Sequence, residues 1–578
     1  MFKLAKGRMS IWAVIGAVLF MVVQVTANLN IPSLTSDIVN NGVVNGDIDY
    51  IWRVGMKMIV FSLIGILAAT GNVFLASRTS MKLGSNLRND IYSKVINMSN
   101  DEYDQIETSS MITRTTNDVI QIQNVYMMML RMMLMSPVML IGASFLAYNK
   151  NHRLTLVFLV VLPIMLIFVG FLLYLAVPKF KAMQTKTDRL NRVFREGLTG
   201  VRVIRAFRRD KFEQDRFEDA NLDFTRNAIN VNIIMAFSFP VIQMIISGTN
   251  VAIVWFGAKL IGVQAMPVGN LISFMAYAAQ ILVSFMMLSM VFIMIPRAQA
   301  SAKRIQEVFD LKSTLKEDEK PVQADKTPGN HTLKFSHVDY RYANAEKPVL
   351  TDIDFKSQSG QTIGIIGGTG SGKTSLVNLI PRFYDTEKGE IILDGQDIRH
   401  YGLNDLRDMI SFVPQKAALF RGSLRENMKF GKADATDEEI WQALDIAQAT
   451  DFVKEDPAGL DQYVEQNGDN YSGGQRQRLT IARALVKKAA VYVFDDSFSA
   501  LDFKTDAVLR QALQDDEHMQ QSIIVIVAER IATVADADNI LVLDEGEVTG
   551  QGTHNELKDN NEIYQEIINS QIKKGDEV

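Results

Sequence analysis

"TIGIIGGTGSGKTSLVNLI", Thr362–Ile380, decides how the second half of this chain folds. It opens as a short apolar run of strand character and closes as the start of a helix, and between them Gly367, Gly372, Lys373 and Thr374 stand at the G-x-x-x-x-G-K-[ST] spacing of a phosphate-binding loop. Glycines let successive backbone N–H groups converge on phosphate oxygens. The helix N-terminus adds positive potential, Lys373 reaches the outer phosphates, and Thr374 offers a hydroxyl to magnesium. The candidate nucleotide-binding residues here are Gly367, Gly368, Thr369, Gly370, Ser371, Gly372, Lys373, Thr374 and Ser375. A glycine-rich turn with no ligand is the bland alternative, and the strand, loop and helix context weighs against it.

Outward from this loop the same pattern continues. The run "AVYVFDD" ends in Asp495 and Asp496, and a carboxylate at a strand end is where a magnesium shell is held, although an aspartate there can also merely cap a turn. From about Thr332 onward, β-rich runs such as "TIGIIG", "AVYVF" and "SIIVIVA" alternate with helical segments, which predicts an α/β domain with a largely parallel sheet.

Upstream the character changes. The 48% apolar content averages an apolar first half with a second half of ordinary soluble composition, and 578 residues exceed one hydrophobic core. Runs long enough to cross a bilayer lie near 11–34, 55–77, 125–148, 153–177, 231–262 and 268–296, which predicts about six spanning helices. The first run follows Lys3, Lys6 and Arg8 but is too long for a signal-peptide core, so it reads as an uncleaved span. Polar helical stretches at 78–124 and 178–230 separate spans two from three and four from five. The second is rich in Lys and Arg, from Lys179 to Arg209, and faces the cytoplasm by the positive-inside rule; the loop 35–52, with Asp37, Asp47 and Asp49, fits the outer face. Lys150 and Arg153 in the turn 149–153 argue the other way, and an even number of spans with both termini inside overrules them. The expected domains are residues 1–310 in the membrane, a charged connector at 311–330, and a soluble domain at 331–578. A net charge of -5, with no block of Lys and Arg resembling a nucleic-acid footprint, argues against a nucleic-acid partner. Without cysteine there is no disulfide framework or thiolate metal site; that composition suits a bacterial protein, and engineered removal would look the same.

"YSGGQRQRLTIARAL", Tyr471–Leu485, closely resembles the signature motif of ABC ATPases, and the chain is identified as a member of that family. The resemblance extends to Gln415 in "FVPQ", similar to the Q-loop that contacts magnesium, to Ser499–Asp502, similar to the D-loop, and to Tyr342, which matches the aromatic that stacks on adenine. A ring at 342 would equally serve core packing. The segments Tyr103–Val119 and Phe194–Phe217 look like the intracellular coupling loops of exporters, placed near 99–118 and 194–217. Nearly the whole chain is covered, and the fused order of membrane half then ATPase resembles the exporter branch. The resemblance implies a multidomain architecture: an all-α six-helix transmembrane domain with long intracellular extensions, then an α/β P-loop ABC ATPase domain, multi-pass in the cytoplasmic membrane with the ATPase in the cytoplasm. It implies ATP and Mg2+ as ligands, with Thr374, Gln415 and Asp495 as the metal set. It also implies a dimer, in which each ATP lies between the Walker elements of one domain and the signature of the other, here Ser472, Gly473, Gly474 and Gln475.

Two positions depart from the family pattern. Asp496 stands where active members carry a glutamate that positions water, and a displacement of about 1 Å in such a group costs on the order of a hundredfold in rate. Glu529 stands where a switch histidine touches the γ-phosphate, and an anion beside phosphate is unfavourable. Whether Glu529 is natural or engineered is open. Both departures lie on the Walker side, while the signature is intact. That asymmetry predicts a heterodimer with a second ABC half-transporter: this chain's own site is slow or inactive, and its signature completes the partner's competent site. A homodimer would hold two poor sites.

Substrate is less legible. Met127, Met128, Met129, Met132, Met133, Met135 and Met139 crowd the third span, with Met286 and Met287 in the sixth; methionine suits a promiscuous pocket and equally suits ordinary helix packing. Arg131 is the one charge inside the third span, Pro137 and Pro240 are candidate bends, and Gln243 and Gln280 are candidate cavity groups. The leading expectation is export of amphipathic drugs or lipids. The alternatives are a peptide exporter, disfavoured because no protease-like domain precedes the first span, and an ATP-gated channel or regulatory subunit.

Overall fold

The computed structural model describes residues 2–318, 320–325, 329–343 and 345–572. They fall into two units, Met1–Ile96 with Thr108–Asp310, and Asn97–Glu107 with Leu311–Val578.

The first unit is helical. Its six long elements are α1 (Ile11–Val43), α2 (Ile48–Ile96), α3 (Thr108–Lys150), α4 (His152–Thr199), α5 (Asp210–Gly262) and α6 (Val268–Asp310), each carrying an apolar stretch long enough to cross a membrane. Only helices satisfy every backbone N–H and C=O internally in lipid, so the apolar runs have no other stable form there. α2, α3, α4 and α5 extend well beyond their apolar runs because the polar stretches between spans two and three and between four and five are themselves largely helical. Three connections meet at one end of the bundle. The side chain of Asn270 accepts from Ser36 and Asn40 at 2.7 and 3.1 Å and donates to the Lys150 carbonyl at 3.5 Å, while Asn40 accepts from the Gly269 N–H at 2.8 Å. Asn151 caps α4, accepting from the N–H groups of Arg153 and Leu154 at 3.0 Å each, so α3 turns into α4 within two residues. Deeper in the bundle, buried Asn72 of α2 donates to the carbonyls of Ala17 and Leu130 at 2.8 and 3.3 Å and so ties three helices. Of the two candidate bends, Pro137 follows a π-helical turn at Met129–Met133, whereas the helix runs through Pro240 without interruption.

The second unit is α/β. Six strands, β3 (Thr362–Gly367), β6 (Ile410–Val413), β7 (Val491–Asp495), β8 (Ile523–Val527), β9 (Asn539–Asp544) and β10 (Glu547–Gly552), lie in the order β10-β9-β3-β8-β7-β6, parallel except for β10. A parallel sheet is covered on both faces, which is why β8 is a continuous apolar run and β7 is buried at every position up to Asp495, rather than alternating. Ile523, Val525 and Val527 enter one core with Leu376 of the helix after the loop, and Ile524 and Ile526 enter the other with Leu479 and Ile481. A second sheet, β2-β1-β4-β5, is formed by β1 (Thr332–Tyr340), β2 (Leu350–Gln358), β4 (Lys388–Leu393) and β5 (Gln396–Asp397), and is antiparallel.

The segment Asn97–Glu107 interrupts the helical unit in sequence yet packs with the α/β unit. Its short helix Asn100–Asp104 is closed by a capping box between Ser99 and Glu102. Glu102, 1% exposed, also accepts from the Thr314 N–H at 2.7 Å, and Asp104 accepts from the Tyr384 hydroxyl at 3.0 Å. The charged connector at 311–330 is pinned where it is described: Arg382 donates to the Lys316 carbonyl at 2.9 Å and Val322 bridges to Tyr401. Between α4 and α5 the other expected coupling stretch holds a short helix, Val201–Ala206, none of whose residues is buried.

Burial raises the pKa of Glu102, but hydrogen bonds from Ser99 and Thr314 to the ionised form outweigh it and hold the group below the usual glutamate value. A lowered folded pKa stabilises above the unfolded value and is lost as pH falls through the folded one. Glu102→Gln is expected to weaken this attachment at neutral pH and to remove its acid sensitivity, read as faster proteolysis within 97–107; an unchanged digestion rate across pH would show that the carboxylate is not what fastens the segment.

Candidate functional site

The loops leaving the carboxyl ends of β3, β6, β7 and β8 converge, as the strand order requires of an open parallel sheet. β3 runs into the glycine loop, β7 ends at Asp495, β6 leads to Gln415, and β8, which lies between β3 and β7, leads to Glu529. Every residue expected on the Walker side except Tyr342 therefore lies at one edge.

The glycine loop has the shape its sequence implies. Gly368, Thr369 and Gly370 are exposed, and Gly370 and Gly372 have φ of 87° and 101°, values that L side chains rarely adopt. A Cβ on Gly367 would meet the Leu543 carbonyl at 2.2 Å. The buried hydroxyl of Ser371 has no partner among the described residues, and the loop forms an open cradle of backbone. Such a cradle fits a nucleotide phosphate. Lys373 donates to the Gly367 and Gly368 carbonyls at 2.8 Å each. Burial lowers its pKa, and the charges of Glu529, Asp496 and Asp495, in that order, act the other way. Thr374 donates to Asp495 at 3.1 Å, which brings together a hydroxyl and a carboxylate of the expected magnesium set. Asp495 is buried and pushed up to about 6, with Asp496 adding to the effect of burial and Thr374 and Lys373 opposing it.

Asp496 is held at φ 46° by a hydrogen bond from its N–H to the Val527 carbonyl at 3.0 Å, and its own carbonyl accepts from Ser499 at 2.9 Å. Gln415 donates to its carboxylate at 3.3 Å, so the glutamine after β6 and the residue after the strand-end aspartate meet directly. Burial raises the pKa of Asp496 and the charge of Glu529 raises it further. Tyr342 is half-buried, edge-on to Tyr340 and Tyr384, and its hydroxyl lies 2.9 Å from Ser375, so the ring packs beside the first turn after the loop.

The signature residues form a helix start. Ser472 caps the helix Gly473–Leu485 in a capping box with Gln475, and a Cβ on Gly473 would meet nothing within 4 Å. The exposed N–H groups at that end are the kind of donor that takes an anion.

One residue at the edge escaped the sequence. Gln571, in the last helix Glu562–Ile572, donates to the Glu529 carbonyl at 2.8 Å and accepts from the Ile531 N–H at 3.0 Å. Its amide thus bridges the backbone from Glu529 to Ile531. The helix is anchored by Tyr564, which is fully buried and lies 2.7 Å from His554 Nδ1. A glutamine on this amphipathic helix, far from the glycine loop in sequence, carries no signal that would have marked it.

Residues 14–285 match the model of the ABC transporter transmembrane region, and residues 350–499 match the ABC transporter model. An uncharacterized ABC transporter ATP-binding protein of Mycobacterium tuberculosis is 37% identical over 553 residues, covering 95% of this chain and 94% of that one. The lipid A-core flippase of Pseudomonas aeruginosa is 32% identical over 501 residues, covering 86% and 82%. The structure of a bacterial Atm1-family ABC exporter with ATP bound shares the fold, with a TM-score of 0.79 at 21% identity over 97% of this chain and 98% of that one.

Two measurements check this geometry. Lys373→Ala should weaken nucleotide labelling of this chain, and unchanged labelling in a folded protein would remove the loop from the nucleotide site. Gln571→Ala should speed hydrogen exchange at the Ile531 amide roughly tenfold, the loss of one hydrogen bond, without changing exchange in β8.

Proposed function

The chain belongs to the ABC transporter family and has the exporter architecture of six apolar helices followed by an ATPase domain, and from that premise we propose that it is the slow-site half of a heterodimeric, ATP-driven exporter of amphipathic molecules in the cytoplasmic membrane. The observation that carries the division of labour is the contrast between its two nucleotide-facing ends. At the Walker end, Glu529 and Asp496 put two carboxylates beyond Asp495 around Lys373. At the signature end, the capped helix start is complete and open.

In this reading Gly367–Lys373 take the phosphates, Tyr342 packs against the adenine side, and Thr374, Gln415 and Asp495 hold magnesium. When bound, magnesium neutralises phosphate charge. Asp496 lacks the reach of a glutamate and is already engaged by Gln415, so it holds water poorly. Glu529 brings a carboxylate to the place where a neutral or cationic donor would steady the γ-phosphate. ATP therefore binds and persists at this side. Ser472, Gly473, Gly474 and Gln475 instead close over ATP held by the partner's Walker elements.

An amphipathic cargo is supported by the lipid A-core flippases among the relatives. Gln280 of α6 adds a buried side-chain oxygen without a partner among the described residues, while Met286 and Met287 are part-buried further along the same helix. Accumulation of a fluorescent lipid against its gradient in ATP-loaded vesicles tests transport; ATP-dependent equilibration alone would mark a gated pore.

Ser472→Arg should abolish most ATPase activity of the assembled exporter, since the added side chain obstructs closure over the partner's ATP. Near-normal turnover would exclude a composite site. Asp496→Asn should reduce turnover far less than loss of the corresponding carboxylate in the partner, measured as steady-state ATPase on the purified dimer. Equal losses would make this chain's own site the catalytic one.

A further inference from the structure

Lys150 and Arg153 stand on the side of the membrane where the positive-inside rule expects few cations, and the transport reading gives them nothing to do. The structure adds a third. Lys259, in the last turn of α5, lines the same cavity as Arg153 at the start of α4, a groove of about 450 Å³ between the two helices. On α4 the residues 153, 156, 157 and 160 recur at i, i+3, i+4 and i+7, and on α5 the residues 256 and 259 recur at i and i+3, so each helix contributes one stripe. Below the two cations the walls are apolar, with exposed Leu156, Val160 and Phe256. The one described partner of either cation is an aromatic ring: Lys259 Nζ lies 5.1 Å from the centroid of Trp255, itself 62% exposed, and no described carboxylate pairs with Arg153 or Lys259.

Cations at the water end of an apolar groove between membrane helices are complementary to one kind of molecule, a lipid whose headgroup is anionic. Long basic side chains reach toward the headgroup level while their stems lie on apolar surface, and Trp255 is at the same level, where aromatic rings concentrate. A membrane-embedded helix of the partner would fill the apolar walls but would leave Arg153 and Lys259 without counter-charge. We propose that this groove binds an anionic phospholipid of the outer leaflet, its phosphate held by Arg153 and Lys259 and an acyl chain along Leu156, Val160 and Phe256. The site depends on the chain spanning the membrane and is independent of which cargo is exported.

Trp255 is a built-in probe. With Trp255 kept as the only tryptophan of the assembled exporter (in this chain Trp12→Phe, Trp52→Phe and Trp441→Phe), fluorescence is compared in mixed vesicles in which either phosphatidylglycerol or phosphatidylcholine carries brominated chains. Brominated phosphatidylglycerol is expected to quench more strongly, with an enrichment of roughly fivefold per cation. Arg153→Gln with Lys259→Gln should abolish the preference, and Lys150→Gln, outside the groove, should keep it. Equal quenching by the two lipids, a preference that survives the double change, or a preference lost equally in Lys150→Gln would overturn the site. Quenching by neither lipid would show the groove covered by protein and would overturn it too. Should the tryptophan replacements fail to fold, native mass spectrometry of the otherwise unaltered exporter decides: the double change must lose one retained phosphatidylglycerol, and retention at the original level refutes the proposal.

Discussion

A parallel sheet buried on both faces has only its edges left for chemistry, and the rest of the ATPase unit follows from that constraint. β3, β6, β7 and β8 point the same way, so the loops that leave their carboxyl ends are forced together. Lys373 is thereby carried among Asp495, Asp496 and Glu529, which lie far from it in sequence. Three carboxylates around one buried ammonium are a net negative environment. Asp495 already responds to it, since burial and Asp496 push its pKa up to about 6. A phosphate brought to this edge must be neutralised by the helix N-terminus, the loop amides and magnesium against that background. The cradle itself is fully formed, and what sets this edge apart is its electrostatics.

Asp496 has a conformational reason as well as a chemical one. Its φ of 46° lies in the left-handed region, where aspartate is enriched among non-glycine residues, and two backbone hydrogen bonds, to Val527 and from Ser499, hold it there. The strained backbone aims the side chain at Gln415. What the sequence presents as a glutamate shortened by one methylene is therefore also a residue suited to its dihedral angles. Its contact with Gln415 joins it to the loop that leaves the neighbouring strand.

Six spanning helices and the glycine loop were legible because each rests on a local signal: run length in one case, fixed spacing in the other. Gly367, Gly372, Lys373 and Thr374 needed no partner to be recognised, and the alternation of apolar runs with helices announced the parallel sheet. The partition of Asn97–Glu107 was not legible. What fastens it to the α/β unit is the pairing of Glu102 with Thr314 and of Asp104 with Tyr384, separations of more than two hundred residues. Gln571 was invisible for the same reason, since its role exists only through Glu529 and Ile531. Tyr342 was read as a ring for adenine or for the core. It packs on Tyr340 and Tyr384 while its hydroxyl reaches Ser375, so the two readings are compatible in one side chain.

The helical unit distributes its burial unevenly. Within its most apolar window, α6 is 39% buried and α5 only 6%, so α6 is central and α5 is peripheral. In water such a face would be a liability; in a bilayer it is solvated by lipid, and no hydrophobic force compels its coverage. What is costly in lipid is an unpaired polar group, and the Asn72 and Asn270 bonds show the bundle meeting that demand internally. The open signature helix in the soluble unit is different. Gly473 at its start is exposed, with open space where a Cβ would stand. The open Gly473 end calls for protein, which a second half-transporter would supply, whereas lipid already suffices for the peripheral α5.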